Sequence, residues 1–301
     1  RPDYLAVRGI ARDLAAAGVG EYIKPNDETL PAKKTSRNVV IKTDKCPVYQ
    51  FCEINNINVV PSNKTIASRL SGIGINPKNA AIDATNYVCY DMAQPMHCFD
   101  ADEIHGDIVV RMAQNGEKFT DLFGKEHELL ENDMVISDDM GILALAGVIG
   151  GARAATTDKT KNIILESAYF NPVSVRKSAK RIGTSSDASY RYERGIDPTI
   201  TGIALARAAK IITDVCGGKI TGVGMAGKIP DVQNNLEYTP GLFLKKTGID
   251  ISADEQRDIF EKLGFNVLAN GDKWIVTPRT ARVDVVLPEN LVSELLRIYG
   301  Y

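Results

Sequence analysis

Apolar residues recur at helical spacing over residues 2–17. Pro2 suits a first turn and Gly18 and Gly20 close the stretch, so this segment is predicted to form an amphipathic helix. A polar connection containing Pro and Lys covers residues 24–37. Two apolar runs, 39–42 and 48–57, predict strands. Residues 66–70 read as helical and lead into a turn at Gly72-Ile73-Gly74. The stretch 79–92 predicts a second helix that ends before Pro95, because the residue preceding a proline avoids the helical region. From 107 to 170 the pattern changes to short apolar runs (107–112, 134–137, 143–148 and 163–168) separated by Gly, Asn and Asp, which predict strands and hairpins. Asn171-Pro172 and Asp197-Pro198 each place an N-cap before a proline at the first helical position. The two predicted helices run to Arg181, before Gly183, and to Gly217-Gly218.

The mostly polar stretch 227–235, with Pro230, marks a boundary. Beyond it, Ser252-Ala253-Asp254-Glu255 reads as a capping box that opens a helix ending at Gly264. Asn270-Gly271 lies between Val267 and Trp274-Ile275-Val276, a strong hairpin signal, and residues 288–299 predict a final helix. Strands and helices that are grouped, rather than strictly alternating, predict an α+β protein. The expected organisation is a mixed-sheet domain with packed helices at 1–226, followed by a small winged-helix-like α+β domain at 232–301.

Composition changes this picture little. The 301 residues are 44% apolar and 25% charged, as in ordinary globular domains, and are enough for a sizeable core. A net charge of −2 supplies no overall basic field, so nucleic-acid binding would rest on local patches. Five cysteines, odd in number and without a CxxC pair, fit a reducing cytosol and argue against a disulfide framework or a thiolate zinc site. No run of 18 apolar residues occurs, so no membrane association is expected. The opening at Arg1-Pro2-Asp3 and the ending at Ile298-Tyr299-Gly300-Tyr301 read as those of a piece from a longer polypeptide.

Candidate chemistry gathers in residues 83–100, DATNYVCYDMAQPMHCFD. Thr85, Asn86, Gln94 and His97 are more polar than core packing requires, and His97 follows the Gln94-Pro95 break. A neutral imidazole there could position or deprotonate water near pH 7. No second ligand stands at i+3 or i+4, so zinc is a poor fit. The run Ala146-Gly147-Val148-Ile149-Gly150-Gly151 reads either as a tight turn or as a close approach to a ligand. It has neither dinucleotide nor Walker spacing. Glu166 interrupts an apolar strand. It either points to solvent or faces inward, where it needs a partner that a ligand hydroxyl could supply. Arg176, Lys177, Lys180, Arg181, Arg191 and Arg194 form a basic run, read either as a solvated face or as a phosphate-binding surface.

Taken in order, TNY and QPMHCFD, LALAGVIGG, LESAYFNPVSVRKSAKRIG and SSDASYRYERGIDP resemble the editing module of the bacterial phenylalanyl-tRNA synthetase beta subunit. LEYTPGLFLKKTG, LGFNV, WIVTPRTARVD and LLRIYGY resemble the small domain that follows it. The likeness runs the length of the chain, without the family's amino-terminal tRNA-binding part or its carboxy-terminal catalytic-like and anticodon-binding parts. It implies hydrolysis of tyrosine mischarged on phenylalanine tRNA. Such a function has a physical rationale: a pocket shaped for phenylalanine rejects one extra hydroxyl only on the order of 100-fold, whereas a site built to bind that hydroxyl reaches roughly 10⁴-fold.

Carried over by motif, Glu166 is the reader of the tyrosine phenol. Ala146 and Gly147 form the floor, and Ala188, with Ser186 beside it, the far wall. Thr85, Asn86 and His97 hold the ester and the attacking water, with His97 either base or water-orienting group. Relatives often have Thr where Ser186 stands and His where Tyr190 stands. In the tail the family associates a carboxylate cluster with Mg²⁺. Asp284 and Glu294 match it, while Asn290 and Ser293 replace acidic residues. The resemblance also implies phenylalanine tRNA and a synthetase alpha subunit as partners, in a heterotetramer of two alpha and two beta subunits. It further implies a cytoplasmic location, and ATP use only by the whole enzyme. The alternative is a noncatalytic module that binds nucleic acid or scaffolds the subunits.

Overall fold

The strand Asn162–Tyr169 sends alternate side chains into two different hydrophobic cores, and this alternation sets the architecture of most of the molecule. Ile164 and Ala168 join one core, while Ile163 and Leu165 join the other. The computed structural model describes residues 1–301. It comprises two compact units: residues 26–230, and residues 1–25 together with 231–301.

The first helix, α1 (Val7–Ala16), follows a short 3-10 turn at Pro2–Leu5. The domain expected at 1–226 does not include it, since residues 1–25 cluster with the C-terminal segment instead. The cause is non-local. Ala16 is buried among Phe243, Phe260 and Leu295, and Asp13 accepts hydrogen bonds from Arg1 and from Arg297, far along the chain.

In the larger unit, β1 (Val39–Ile41) and β2 (Val48–Asn55) come first. Next come α2 (Lys64–Gly72) and α3 (Ala80–Met92), capped by the side chains of Asn63 and Asn79. α3 ends at Met92, three residues before Pro95, and its cap Ala93 takes a left-handed conformation at φ 62°. β3 (His97–Asp100) follows, in a stretch to which the sequence reading assigns no element; four residues are too few to show alternation. β4 (Ile108–Met112), the hairpin β5 (Lys118–Thr120) and β6 (Glu126–Glu128), β7 (Met134–Asp138), β8 (Gly141–Leu145) and β9 (Ile149–Gly150) lead to β10 (Asn162–Tyr169). α4 (Pro172–Ile182), α5 (Asp187–Tyr192) and α6 (Thr201–Cys216) then precede β11 (Lys219–Gly227).

These strands make two main sheets. One has the order β1-β4-β7-β8-β9 and is mixed, because β1 and β4 run parallel. The other, β11-β2-β10-β3, is antiparallel. Ala84 and Val88 of α3, with Leu205 and Ile212 of α6, bury one face of the second sheet against Cys52, Ile54 and Leu165. Tyr49, Phe51, Phe99 and Ile164, from its opposite face, share a core with Val110, Ile136 and Leu145 of the mixed sheet. The architecture is α+β, as the grouped elements predict.

In the smaller unit, β12 (Leu236–Tyr238), α7 (Gly241–Thr247), α8 (Ala253–Lys262), β13 (Asn266–Asn270), β14 (Lys273–Thr277) and α9 (Pro288–Tyr299) build a three-stranded antiparallel sheet, β12-β14-β13, with helices. The Ser252 hydroxyl caps α8 by accepting from the Glu255 backbone N–H at 3.1 Å. The hairpin loop is Gly271-Asp272, since Asn270 pairs with Lys273. Gly271 has φ 57°, which glycine tolerates at little cost. Tyr238, Phe243, Phe260 and Trp274 fill the core, each such ring contributing roughly 1.5–3 kcal/mol by leaving water.

Candidate functional site

β10 carries Glu166 at its midpoint, paired with Phe51 on β2 and directly opposite His97 on β3. Cross-strand partners share a face, with Cβ atoms roughly 4.5–5.5 Å apart. Sheet register therefore delivers a carboxyl group and an imidazole side by side. Both line a cavity of about 420 Å³. Its wall also includes Asn86 from α3, Gly147 from the β8–β9 turn, and Ser186 and Ala188 at the start of α5. That volume lies in the range of small-molecule sites.

Glu166 is 3% exposed, which decides between its two sequence readings: it faces inward. Its partner is Tyr49, whose phenol donates to Glu166 Oε2 at 3.1 Å. Burial raises the Glu166 pKa to about 8, and the Tyr49 hydrogen bond opposes that rise only in part. At neutral pH the group is therefore a carboxylic acid. Burial lowers the His97 pKa to about 4, so the imidazole is neutral. Its ring packs edge-on against Phe99 at 4.4 Å between centroids, and its Nε2 is buried without a hydrogen-bond partner. A buried polar atom without a partner, in a residue of the cavity wall, is a candidate contact for a ligand or water.

Glycine is required at two points of the wall. Gly147 has φ 70°, and a Cβ there would meet Val175, Phe170 and Tyr192 at 2.9–3.2 Å. A Cβ on Gly150 would collide with the His97 ring. Ser186 is engaged structurally: its hydroxyl donates to the Val148 carbonyl at 2.6 Å and caps α5, tying the turn to the helix. Two expected residues stand apart from the cavity. The Thr85 hydroxyl donates to the Ile82 carbonyl of its own helix at 2.7 Å. Ala146 is buried in the core, and the wall at this turn is made by Gly147 and Val148. The sequence reading missed Tyr49, Phe170, Tyr192, Leu122 and Phe123. All but Tyr49 line the cavity, and the isolated aromatics carry no spacing that would single them out.

A family model of the B3/4 domain matches residues 45–217, more than half of the chain and most of the unit that holds this cavity. The chain belongs to the B3/4 domain family. A tRNA synthetase B5 domain model matches residues 237–301. A Phenylalanine--tRNA ligase beta subunit from Zymomonas mobilis is 36% identical over 302 residues, covering 100% of this chain and 38% of that protein. The protein of the same name from a Wolbachia endosymbiont of Brugia malayi is 38% identical over 318 residues, covering 100% and 40%. The chain thus spans about 40% of the length of these relatives. An N-terminal fragment of the Pyrococcus horikoshii phenylalanyl-tRNA synthetase beta subunit aligns over 100% of this chain and 84% of that one. At TM-score 0.49 and 17% identity, the likeness is too distant to bear on the site.

In the B5 domain the four residues expected to hold Mg²⁺ do not assemble a metal site. Arg282, 3% exposed, donates to both oxygens of Asp284, at 2.9 and 2.8 Å, and to both of Glu294. A guanidinium therefore stands where a cation would. Burial alone would raise the Glu294 pKa, but Arg282 and Arg297 hold it down at about 2. Asn290 accepts from the Val286 and Leu287 backbone N–H groups, and the Ser293 hydroxyl donates to the Glu289 carbonyl. No group of three or more His, Cys, Asp or Glu side chains is arranged to hold a metal ion.

The basic run of the B3/4 domain is not one surface. Arg191 is buried over the Tyr90 ring at 4.2 Å. Arg181 pairs with Asp133, and Arg194 pairs with Glu193 and stacks on Tyr190. Arg176, Lys177 and Lys180 remain exposed on α4.

Proposed function

We propose that the chain is the editing part of a phenylalanine–tRNA ligase beta subunit, hydrolysing tyrosine wrongly esterified to the phenylalanine tRNA. The reading is carried by one observation: Glu166 and His97 are cross-strand neighbours in a single cavity. An aromatic ring entering between the Gly147 turn and Ala188 would bring its phenol to Glu166. A phenylalanine ring would leave the second oxygen of that buried carboxyl without a partner, which is the strongest available basis for discriminating the two. Asn86 and the free Nε2 of His97 would orient the ester and a water. A pKa near 4 makes His97 a poor proton acceptor at neutral pH, so its role is to position rather than deprotonate. The water oxygen bonds the ester carbonyl carbon as the bond to the ribose oxygen breaks; tyrosine is released, and the departing ribose oxygen takes up the proton that the water loses. The same reading assigns the chain an alpha subunit in a heterotetramer of two alpha and two beta subunits, a tRNA partner and a cytoplasmic site of action. ATP use belongs to the whole ligase.

The test is deacylation of tyrosyl- and phenylalanyl-tRNA(Phe) by the purified chain. Tyrosine is expected to be released well above the spontaneous rate, and phenylalanine near it. Glu166→Ala should reduce that preference by about 10² or more while leaving the circular dichroism spectrum unchanged. Release of both amino acids at the spontaneous rate, by the unaltered chain and also with the alpha subunit present, would overturn the hydrolase reading.

A further inference from the structure

The Glu166 carboxyl is held by a group that the editing reading does not itself call for. Tyr49 lies on β2, paired with Ala168, two positions along β10 from Glu166 and on the same face of the sheet. Its side chain is fully buried, and its phenol donates to one carboxyl oxygen, Oε2. Resting on the proposed reading of the cavity, we infer that Tyr49 is a positioning residue for amino-acid specificity: it anchors one oxygen of Glu166 and leaves the other as the single polar atom that meets an incoming phenol.

The argument is one of satisfied and unsatisfied groups. A carboxyl group buried in an apolar cavity can rotate about its last bond, and a freely rotating reader would present either oxygen, or neither, to a ligand. One hydrogen bond from a rigid core ring removes that freedom. The titratable groups that face Glu166 are Tyr49 from β2, His97 from β3, Tyr192 from α5, and Cys46 just before β2. None is cationic at neutral pH. His97 is held neutral by burial, and burial keeps the thiol and both phenols protonated. No counter-charge therefore fixes the carboxyl, and Tyr49 is the group that orients it. A bound tyrosine phenol would add a second donor and favour ionisation of Glu166, whereas a bound phenylalanine would only desolvate it further. Preference for tyrosine should then grow as pH rises through about 8.

The experiment is calorimetric binding of free L-tyrosine and L-phenylalanine to the whole chain between pH 6 and 9.5, for the unaltered protein, Tyr49→Phe, Glu166→Gln and the double variant. Tyr49→Phe keeps the ring and so keeps the core. Its tyrosine-to-phenylalanine affinity ratio should fall about tenfold at pH 7, and the rise in that ratio should move to higher pH, because the Tyr49 hydrogen bond holds the Glu166 pKa down and its loss lets that pKa rise. Glu166→Gln should flatten the pH dependence. In the double variant the two losses should not add, as expected for residues acting through one contact. An unchanged ratio and an unchanged pH profile in Tyr49→Phe, with Glu166→Gln altered, would overturn the role of Tyr49 and leave Glu166 as the reader. Should Tyr49→Phe fail to fold, Glu166→Gln alone decides. An anchored amide keeps its oxygen on Tyr49 and offers its NH₂ to the phenol, retaining part of the preference, whereas complete loss would overturn the anchoring. If the unaltered chain shows no preference for tyrosine at any pH, the editing reading itself falls.

Discussion

Gly147 shows how narrowly a single residue can be constrained. Its φ of 70° costs another residue about 1–2 kcal/mol, and the side chains of Val175, Phe170 and Tyr192 occupy the space a Cβ would take. Overpacking adds roughly 1–3 kcal/mol. Gly147→Ala should therefore lower the stability of the larger unit by about 2–5 kcal/mol, read as a lower urea midpoint at unchanged slope. A loss below about 0.5 kcal/mol would mean that the turn relaxes freely. This glycine and Glu166 were both legible in the sequence, and for physical reasons. A glycine run after a strand signals a special backbone, and a carboxylate directly after Ile163-Ile164-Leu165 in the same strand must either face water or find a partner. Tyr49 was not legible, because its hydroxyl meets Glu166 across 117 positions and nothing local marks that pairing. Thr85 stands apart from the cavity for the opposite reason: its neighbours in sequence suggest a site, but a helical threonine readily satisfies its hydroxyl on its own backbone.

Among the elements, those with strong local signals stand where the sequence predicts them. α4 begins at Pro172 behind the Asn171 cap, and α8 begins behind Ser252. β3 and α1 show where local signals fail. The first is too short for alternation, and the second is assigned to its unit by partners at the far end of the chain. In that unit Arg282 links Asp284 to Glu294 on α9, and Arg1 and Arg297 meet at Asp13 on α1. Replacing Arg282 by Met leaves the buried Glu294 carboxylate short of a donor, and breaking a buried pair in this way costs about 3–5 kcal/mol. Trp274, the single tryptophan, lies in the same core and reports this transition by fluorescence. Arg282→Met should lower the midpoint of that signal, whereas EDTA or added magnesium should leave the midpoint of the unaltered chain in place. A clear stabilisation by magnesium would show that the carboxylates can leave the arginine for a metal.

For the molecule as a whole, the two buried groups of the cavity predict how stability varies with pH. Glu166 has a folded pKa of about 8, above its ordinary value of 4.5, so its contribution is present at low pH and is lost as pH rises towards 8. His97 has a folded pKa of about 4, below its ordinary 6.5, so its contribution is present above 6.5 and is lost as pH falls towards 4. Between 4.5 and 6.5 the two slopes oppose and nearly cancel. From 6.5 to 8 only Glu166 acts, and each pH unit costs about 1.4 kcal/mol. Above about 8.5 the buried thiols, all held protonated, deepen the loss, because an unfolded cysteine begins to ionise there. The larger unit, followed by circular dichroism apart from the Trp274 signal, should therefore lose about 2 kcal/mol between pH 6.5 and 8. That corresponds to a fall of roughly 4–8 °C in melting temperature for a domain of this size. Glu166→Gln should remove most of that fall and, below pH 6.5, leave the His97 slope uncompensated, so that the melting temperature drops as pH falls towards 4.5. A melting temperature that stays level across this window in the unaltered chain would mean that Glu166 is already ionised when folded, and the carboxyl in the cavity would then meet its ligand as an anion from the outset.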